Sequence, residues 1–182
     1  MREIEIKLKV KDFSELKNKL LLEGCVLSNP INQNDTIYSH KDKIGKEWTK
    51  PDEGDFVIRI RRQDNKSELT VKQQRSHELD NLEFETEVKD SEVMHQILSL
   101  LGYVPMVEVK KKRQKGKLGQ YEICLDEVDE LGTFVELEKL ADDEADVATV
   151  EEDLFREMER LGVPRENREK RGYDTQIFHF KK

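Results

Sequence analysis

The sequence predicts an α+β fold, with eight strands in a curved sheet and three helices packed on its outer face. Two observations carry this reading. Three segments place apolar residues at helical spacing between a polar cap and a closing glycine, and the segments between them alternate with period two. A third observation sets the functional question. Of the 182 residues, 40% are Asp, Glu, Lys or Arg, against about a quarter in an average domain, and many of them fall on the strands. Disorder, the first reading of so charged a chain, does not fit, because Ile, Val, Leu and aromatic residues recur in ordered patterns along the whole length.

The first strand, Arg2–Val10, sets Ile4, Ile6 and Leu8 against Glu3, Glu5 and Lys7. The first helix follows Asp12, carries Phe13, Leu16, Leu20 and Leu21, and stops at Gly24. A short strand at Asp35–Tyr38 precedes a long polar loop, Ser39–Asp55, holding Trp48, Pro51 and Gly54; loops of that length commonly act as lids or are mobile. Strands Phe56–Arg62 and Glu68–Gln73 flank a hairpin turn expected at Asn65-Lys66. Strand Leu82–Val88 leads into a second helix that follows Asp90 or Ser91, carries Val93, Met94, Ile97, Leu98 and Leu101, and stops at Gly102. Strands Val107–Arg113 and Tyr121–Asp126 flank a turn at Lys115–Gly119, and Thr133–Leu140 completes the eight. After an acidic connector, Ala141–Asp146, the third helix begins near Thr149 with Glu152 as its capping-box partner. It carries Leu154, Phe155, Met158 and Leu161 and stops at Gly162. The chain also echoes itself: the charged strands ending Val10-Lys11-Asp12 and Val88-Lys89-Asp90 each lead into a helix closed by glycine, as a barrel of two strand–helix halves would require.

A length of 182 residues fits one domain, taken as 1–182. The net charge of −8 argues against nonspecific nucleic-acid binding. No segment approaches the roughly 20 apolar residues of a membrane span, and the N-terminus has no apolar signal-peptide core, so the expectation is a cytoplasmic protein without a membrane partner. Cys25 and Cys124 suit neither a metal-ligand nor a disulfide framework, and Cys124 reads as a buried free thiol in an apolar strand pattern. His40, His77, His95 and His179 are scattered and read as surface or packing residues.

An ordinary half-exposed strand turns its polar face to water, and that explains any one of these strands. It strains as an account of all of them. Ile58 and Ile60 oppose Arg59 and Arg61; Leu69 and Val71 oppose Thr70 and Lys72; Leu82, Phe84 and Val88 oppose Glu83, Glu85 and Glu87. Helices covering the apolar faces from outside leave the charged faces on the concave side. If the sheet closes, that side is a tunnel, and each ion buried dry there would lose several kcal/mol of hydration. The tunnel is then wet or filled by a charged ligand. A phosphate chain with its metal uses both signs, since Arg and Lys neutralise phosphate oxygens and carboxylates hold hard Mg²⁺ or Mn²⁺. Spacing two apart sets Glu3 and Glu5, and likewise Glu136 and Glu138, about 7 Å apart on one face. Periodicity alone leaves both readings open, a polyanion tunnel and solvated strand faces.

These residues resemble the CYTH superfamily, the class IV adenylate cyclases and thiamine triphosphatases also called triphosphate tunnel metalloenzymes. Glu3-x-Glu5-x-Lys7 matches its N-terminal hallmark, and the remaining segments follow in family order. These are Gln33–Tyr38, Arg59-Ile60-Arg61, Thr70-Val71-Lys72, Glu83-Phe84-Glu85, Lys111-Lys112-Arg113 and, most specifically, Leu125–Val128 with Leu131–Glu138. The resemblance covers nearly the whole chain. It implies a closed eight-stranded antiparallel β-barrel with helices outside. It further implies metal binding of Mg²⁺ or Mn²⁺ by Glu3, Glu5, Glu136 and Glu138 with help from Asp126. The triphosphate would lie against Lys7, Arg59, Arg61, Lys72, Lys111 and Arg113, with the acidic strand of Glu83 and Glu85 beside it and Lys170 as a further contact. Lys72 is the candidate catalytic residue, to orient or deprotonate the nucleophile.

Two positions depart from the family pattern: Asn81 stands where many members carry Arg, and Gly172-Tyr173 where a Ser-Tyr pair is common. The implied activity is cyclisation of ATP to cyclic AMP and pyrophosphate, the class IV cyclase reading. The alternatives are hydrolysis of inorganic, thiamine or nucleoside triphosphate, and a binding module without turnover. A monomer or a homodimer would serve any of these.

Overall fold

The computed structural model describes residues 2–43 and 56–180; Trp48, Pro51 and Gly54 of the expected lid loop lie outside the described residues. Within them the chain runs β1 (Arg2–Val10), α1 (Ser14–Leu22), β2 (Ile31–His40), β3 (Phe56–Gln63), β4 (Lys66–Gln74), β5 (Asp80–Val88) and α2 (Ser91–Leu100). It continues through β6 (Tyr103–Leu118), β7 (Tyr121–Val128), β8 (Gly132–Ala141), α3 (Val147–Arg160), β9 (Arg168–Glu169) and α4 (Tyr173–Phe180). The strands lie in the order β5-β4-β3-β2-β6-β7-β8-β1, and β1 pairs back onto β5, so eight antiparallel strands close into a barrel. The two-residue β9 pairs with Lys7 and Leu8, along the part of β1 that β5 does not reach. Among the described residues no helix is long and apolar enough to cross a membrane.

The hydrophobic core lies outside the barrel, between sheet and helices. Leu16 and Leu20 of α1 and Leu154, Phe155 and Met158 of α3 cover Ile4, Ile6, Leu8, Ile123, Leu125, Val135 and Leu137. Full burial of each such side chain stabilises the fold by about 1.5–3 kcal/mol. Over the next sector, Leu98 of α2 packs on Tyr38, Ile58 and Ile60. The expected α2 stripe is only partly used, since Val93, Ile97 and Leu101 are exposed. Asp90 caps α2 by accepting the amides of Glu92 and Val93. The third helix begins earlier than expected because Asp146, not Thr149, is its cap. The Asp146 carboxylate accepts both the amide and the hydroxyl of Thr149, which satisfies an N–H the first turn leaves free.

Three further features differ from expectation. The β3–β4 turn falls one residue earlier, with Asp64 in the left-handed region at φ 51°, where Asp is tolerated better than most residues. Strand β6 runs through the expected turn at Lys115 to Leu118. Gly116 is there for close approach, since a Cβ on it would sit 2.7 Å from Cys25 Sγ and 3.0 Å from Leu27. Finally, a fourth helix exists. Tyr173 and Ile177 of α4 pack on Ile37, Val107, Val109, Val128 and Phe134, which share strand parity with the lumen residues Asp35, Lys111, Asp126 and Glu136. α4 therefore closes one end of the barrel instead of covering its outside.

The closing seam is short: only Arg2, Glu3 and Ile4 pair with β5, while all of β1 pairs with β8. A fork from Arg2 onto the buried Asp80 carboxylate reinforces it, and Ser76 donates its amide and hydroxyl to the same carboxylate. Arg2→Ala is expected to lower unfolding stability by roughly 2–3 kcal/mol, the scale of a hydrogen bond to a charged group. Urea unfolding of the two proteins measures this, and a loss below about 0.5 kcal/mol would mean the seam does not depend on the pair.

Candidate active site

Strand alternation turns one parity of every barrel strand inward, and the result is a cavity of about 750 Å³ lined by charged side chains of both signs. Every expected site residue except Asp126 and Lys170 lines it. On one side, Arg59 reaches Glu83 at 3.5 Å, Glu85 at 3.7 Å and Thr70 Oγ1 at 2.9 Å. Beside it Lys72 bridges Glu83 at 2.5 Å and Glu3 at 3.1 Å. Arg61 forks onto Asp35 at 2.8 and 2.7 Å. Across the ring, Arg113 forks onto Asp126 and also meets Glu136. Lys111 reaches Asp126 at 3.2 Å, and Lys7 reaches Glu136 at 3.2 Å and Glu5 at 3.7 Å.

The carboxylates expected to hold metal divide into two sets. Oxygens of Glu5, Glu136 and Glu138 all lie within 4.8 Å of one another, close enough to share an ion. Strand register does this, placing Glu5 opposite Glu138 and Lys7 opposite Glu136. Glu3 instead belongs to the Lys72 pair. Asp126 is fully enclosed and taken up by Arg113, Lys111 and the Tyr173 hydroxyl at 3.0 Å. Lys170 lies outside the lumen, lining a separate cavity with His77, Arg168, Arg171 and His179.

Crowding of like charge shows in the proton affinities. Burial, then Glu136, raises Glu5 to about 7; burial, then Glu3 and Glu5, raises Glu138 to about 8. Burial alone would raise Glu136 too, but Arg113 and Lys7 outweigh it and hold that carboxyl far below its usual range. An excess of negative charge on three hard oxygen donors is what a divalent cation relieves, so the residues present fit a metal. Lys72 is pushed the other way: burial opposes its charge, yet Glu3 and Glu83 hold it protonated well above its ordinary range. That favours orienting over deprotonating, the two roles considered for it. Lys111 is lowered to about 8 by burial and then Arg113.

Sequence reasoning missed two contributors. Tyr173 enters from α4, donates to Asp126 and sets its ring 4.1 Å from Lys7 Nζ and 5.0 Å from Lys111 Nζ, so it fixes two of the lumen cations. At the Gly172 departure, a Cβ would require the Asp174 carboxylate to turn aside. Cys124 is buried and free as expected, but it faces the lumen charges and is absent from the apolar core. The signal was its place in the alternation, two residues from Asp126. Asn81, the other departure, pairs opposite Glu3 and donates to the Glu78 carbonyl at 2.8 Å.

The sequence profile of the CYTH domain matches residues 1–173. The chain belongs to the CYTH domain family. A Methanocaldococcus jannaschii protein named "putative adenylate cyclase" is 29% identical over 175 residues, covering 95% of this chain and 97% of its own. A Vibrio parahaemolyticus structure under the same name shares the fold at a TM-score of 0.80, with 21% identity, 96% of this chain and 97% of that one. A Hippeastrum protein, described as a "putative adenylyl cyclase" with a dominant triphosphatase activity, shares it at 0.66 with 18% identity, 100% of this chain and 96% of that one.

The raised carboxyls of this CYTH barrel would make any metal binding at the triad depend on pH. Between the ordinary value of 4.5 and about 7 to 8, the folded protein keeps protons that the unfolded chain has released, so ionising Glu5 and Glu138 costs stability as pH rises. A bound cation removes that cost and need not displace protons at high pH. Added Mg²⁺ should therefore raise Tm more at about pH 8.5 than at about pH 6. Thermal scans with and without the ion measure it, and equal shifts at both pH values would count against the triad.

Proposed function

We propose that this CYTH protein is a metal-dependent phosphoryl-transfer enzyme that takes a triphosphate into the barrel lumen. One observation carries the proposal: the Glu5–Glu136–Glu138 triad stands beside Lys7, Lys111 and Arg113, with Arg59, Arg61 and Lys72 across the same cavity. The triad would hold Mg²⁺ or Mn²⁺, which supplies charge neutralisation on the phosphate oxygens as a P–O bond breaks. The cations now paired with Asp35, Glu3, Glu83 and Glu136 would turn part of their charge to the phosphates. Arg61 and Arg113 suit bidentate contacts, and Lys72, held protonated, orients and neutralises.

Our first reading is the class IV adenylate cyclase reaction. The ribose 3′-hydroxyl of ATP forms a bond to the α-phosphorus while the bond to pyrophosphate breaks, giving cyclic AMP. Its support is the Methanocaldococcus relative, similar along nearly the full length of both chains. A second reading, hydrolysis of inorganic, thiamine or nucleoside triphosphate, is supported by the triphosphatase activity described for the Hippeastrum protein of the same fold. Both reactions use the same metal and cationic clamp and differ in which phosphorus meets the nucleophile.

Supplying ATP, inorganic triphosphate and thiamine triphosphate separately with Mg²⁺ or Mn²⁺ and resolving the products separates the readings. Cyclic AMP with pyrophosphate is the expected outcome, and orthophosphate supports the hydrolase. Tight triphosphate binding without turnover of any of the three would overturn the enzyme assignment. Glu5→Gln is expected to lower turnover by roughly 10²–10³-fold, the scale of losing one preorganised electrostatic group, with the circular dichroism of the fold unchanged. Wild-type turnover in that variant would remove Glu5 from the metal site.

A further inference from the structure

Outside the lumen, a second cavity of about 430 Å³ lies between α4, β9 and the connection from β4 to β5. That size falls in the range of small-ligand sites. Its charged lining is lopsided. Arg168, Lys170 and Arg171 share it with a single carboxylate, Glu78, and His77 and His179 stand beside them. The local sequence has the same bias: residues 165–182 hold six Lys and Arg against three Asp and Glu, in a chain whose net charge is −8.

Glu78 is committed to α4, where it accepts the Gly172 amide at 2.7 Å and the Thr175 hydroxyl at 3.1 Å. Arg168 and His77 both meet Glu151. Arg171 pairs with Glu169 at 3.0 Å, but its side chain is 50% exposed, and a pair so open to water holds it only weakly. Lys170 is exposed and has no ionic partner within 4 Å among the described residues. Arg168 adds an independent sign. Its Nε–H is buried and makes no hydrogen bond among the described residues, and a buried donor left unmade is unfavourable in a folded protein. An acceptor entering the cavity would relieve it.

We infer that this cavity is a second anion site, built for a small phosphate-class anion such as orthophosphate or pyrophosphate. Arg168 and Arg171 offer planar forks to phosphate oxygens, Lys170 offers a point charge, and the imidazoles add donors. A cavity of this size admits a compact anion, whereas nucleic acid calls for a broad basic face. The site adjoins the lumen, because Glu78 and Thr175 line both cavities, yet it shares none of the lumen cations. Each reaction proposed above releases one of these two anions. The inference stands on the cavity alone, however, and its test needs no turnover.

Histidine makes the site readable, because His77 and His179 line this cavity and no histidine lines the lumen. Orthophosphate and pyrophosphate are titrated separately into metal-free full-length protein at fixed pH and ionic strength, and the four imidazole resonances are followed by NMR. His77 and His179 are expected to shift together and saturate with at least one of the two anions, while His40 and His95 stay in place. The anion that saturates them at the lower concentration is the one the site prefers. Lys170→Ala, on an exposed side chain without an ionic partner, should weaken the binding read at His77 and His179 by about 10-fold or more, the scale of losing one hydrogen bond to a charged group. The inference is overturned if either resonance fails to move or to saturate with both anions, if chloride moves them equally, or if Lys170→Ala binds like wild type.

Discussion

Compensation of charge inside the barrel is the constraint on which the rest of this structure depends. Arg113 stands between Asp126 and Glu136, Lys7 reaches from Glu136 to Glu5, and Arg61 is locked on Asp35. Each of these ions gives up several kcal/mol of hydration on entering the lumen, so none is tolerable there without its partners. The fold consequently keeps its apolar core away from its centre. Hydrophobic burial is supplied where α1, α2 and α3 meet the outer faces of the strands, and the centre is left to ions and to whatever can exchange with them.

The lumen is also polar along its length in an uneven way. Toward α4 its wall becomes apolar, with Ile37, Val109 and Phe134 packed on Tyr173 and Ile177. Toward the other mouth it is lined by Lys115, Glu122 and Lys139. Tyr173 joins the two regimes, with its ring on the cations and its hydroxyl on Asp126. Among the described residues, the cations of the lumen thus stand between an apolar end and a charged one.

Within the CYTH family this arrangement explains how one clamp can be proposed for two reactions. The cations and the carboxylate triad recognise a phosphate chain and its ion, features common to cyclisation and hydrolysis. Nothing in that clamp selects the nucleophile.

Much of the barrel was legible in the sequence, because alternation is a local property: consecutive strand residues face opposite ways whatever they pair with. Glu3, Glu5, Lys7, Arg59, Arg61, Lys72 and Glu136 could be assigned to one charged face on that ground. Strand β2 was read too short because its polar residues on both faces, Asn32 to Asp35, hide the period. α4 was missed because its burial depends on a barrel mouth that exists only once eight strands have closed. Alternation likewise says nothing of which inward carboxylate meets which cation. Register placed Glu138 opposite Glu5 and gave Asp126 to Arg113, setting Asp126 apart from the three carboxylates close enough to share an ion. It also put the Cys124 thiol among charges where its apolar neighbours suggested a core. The sequence by itself determined which residues face inward; closure and register, which act between residues far apart in the chain, decided which of them could work together.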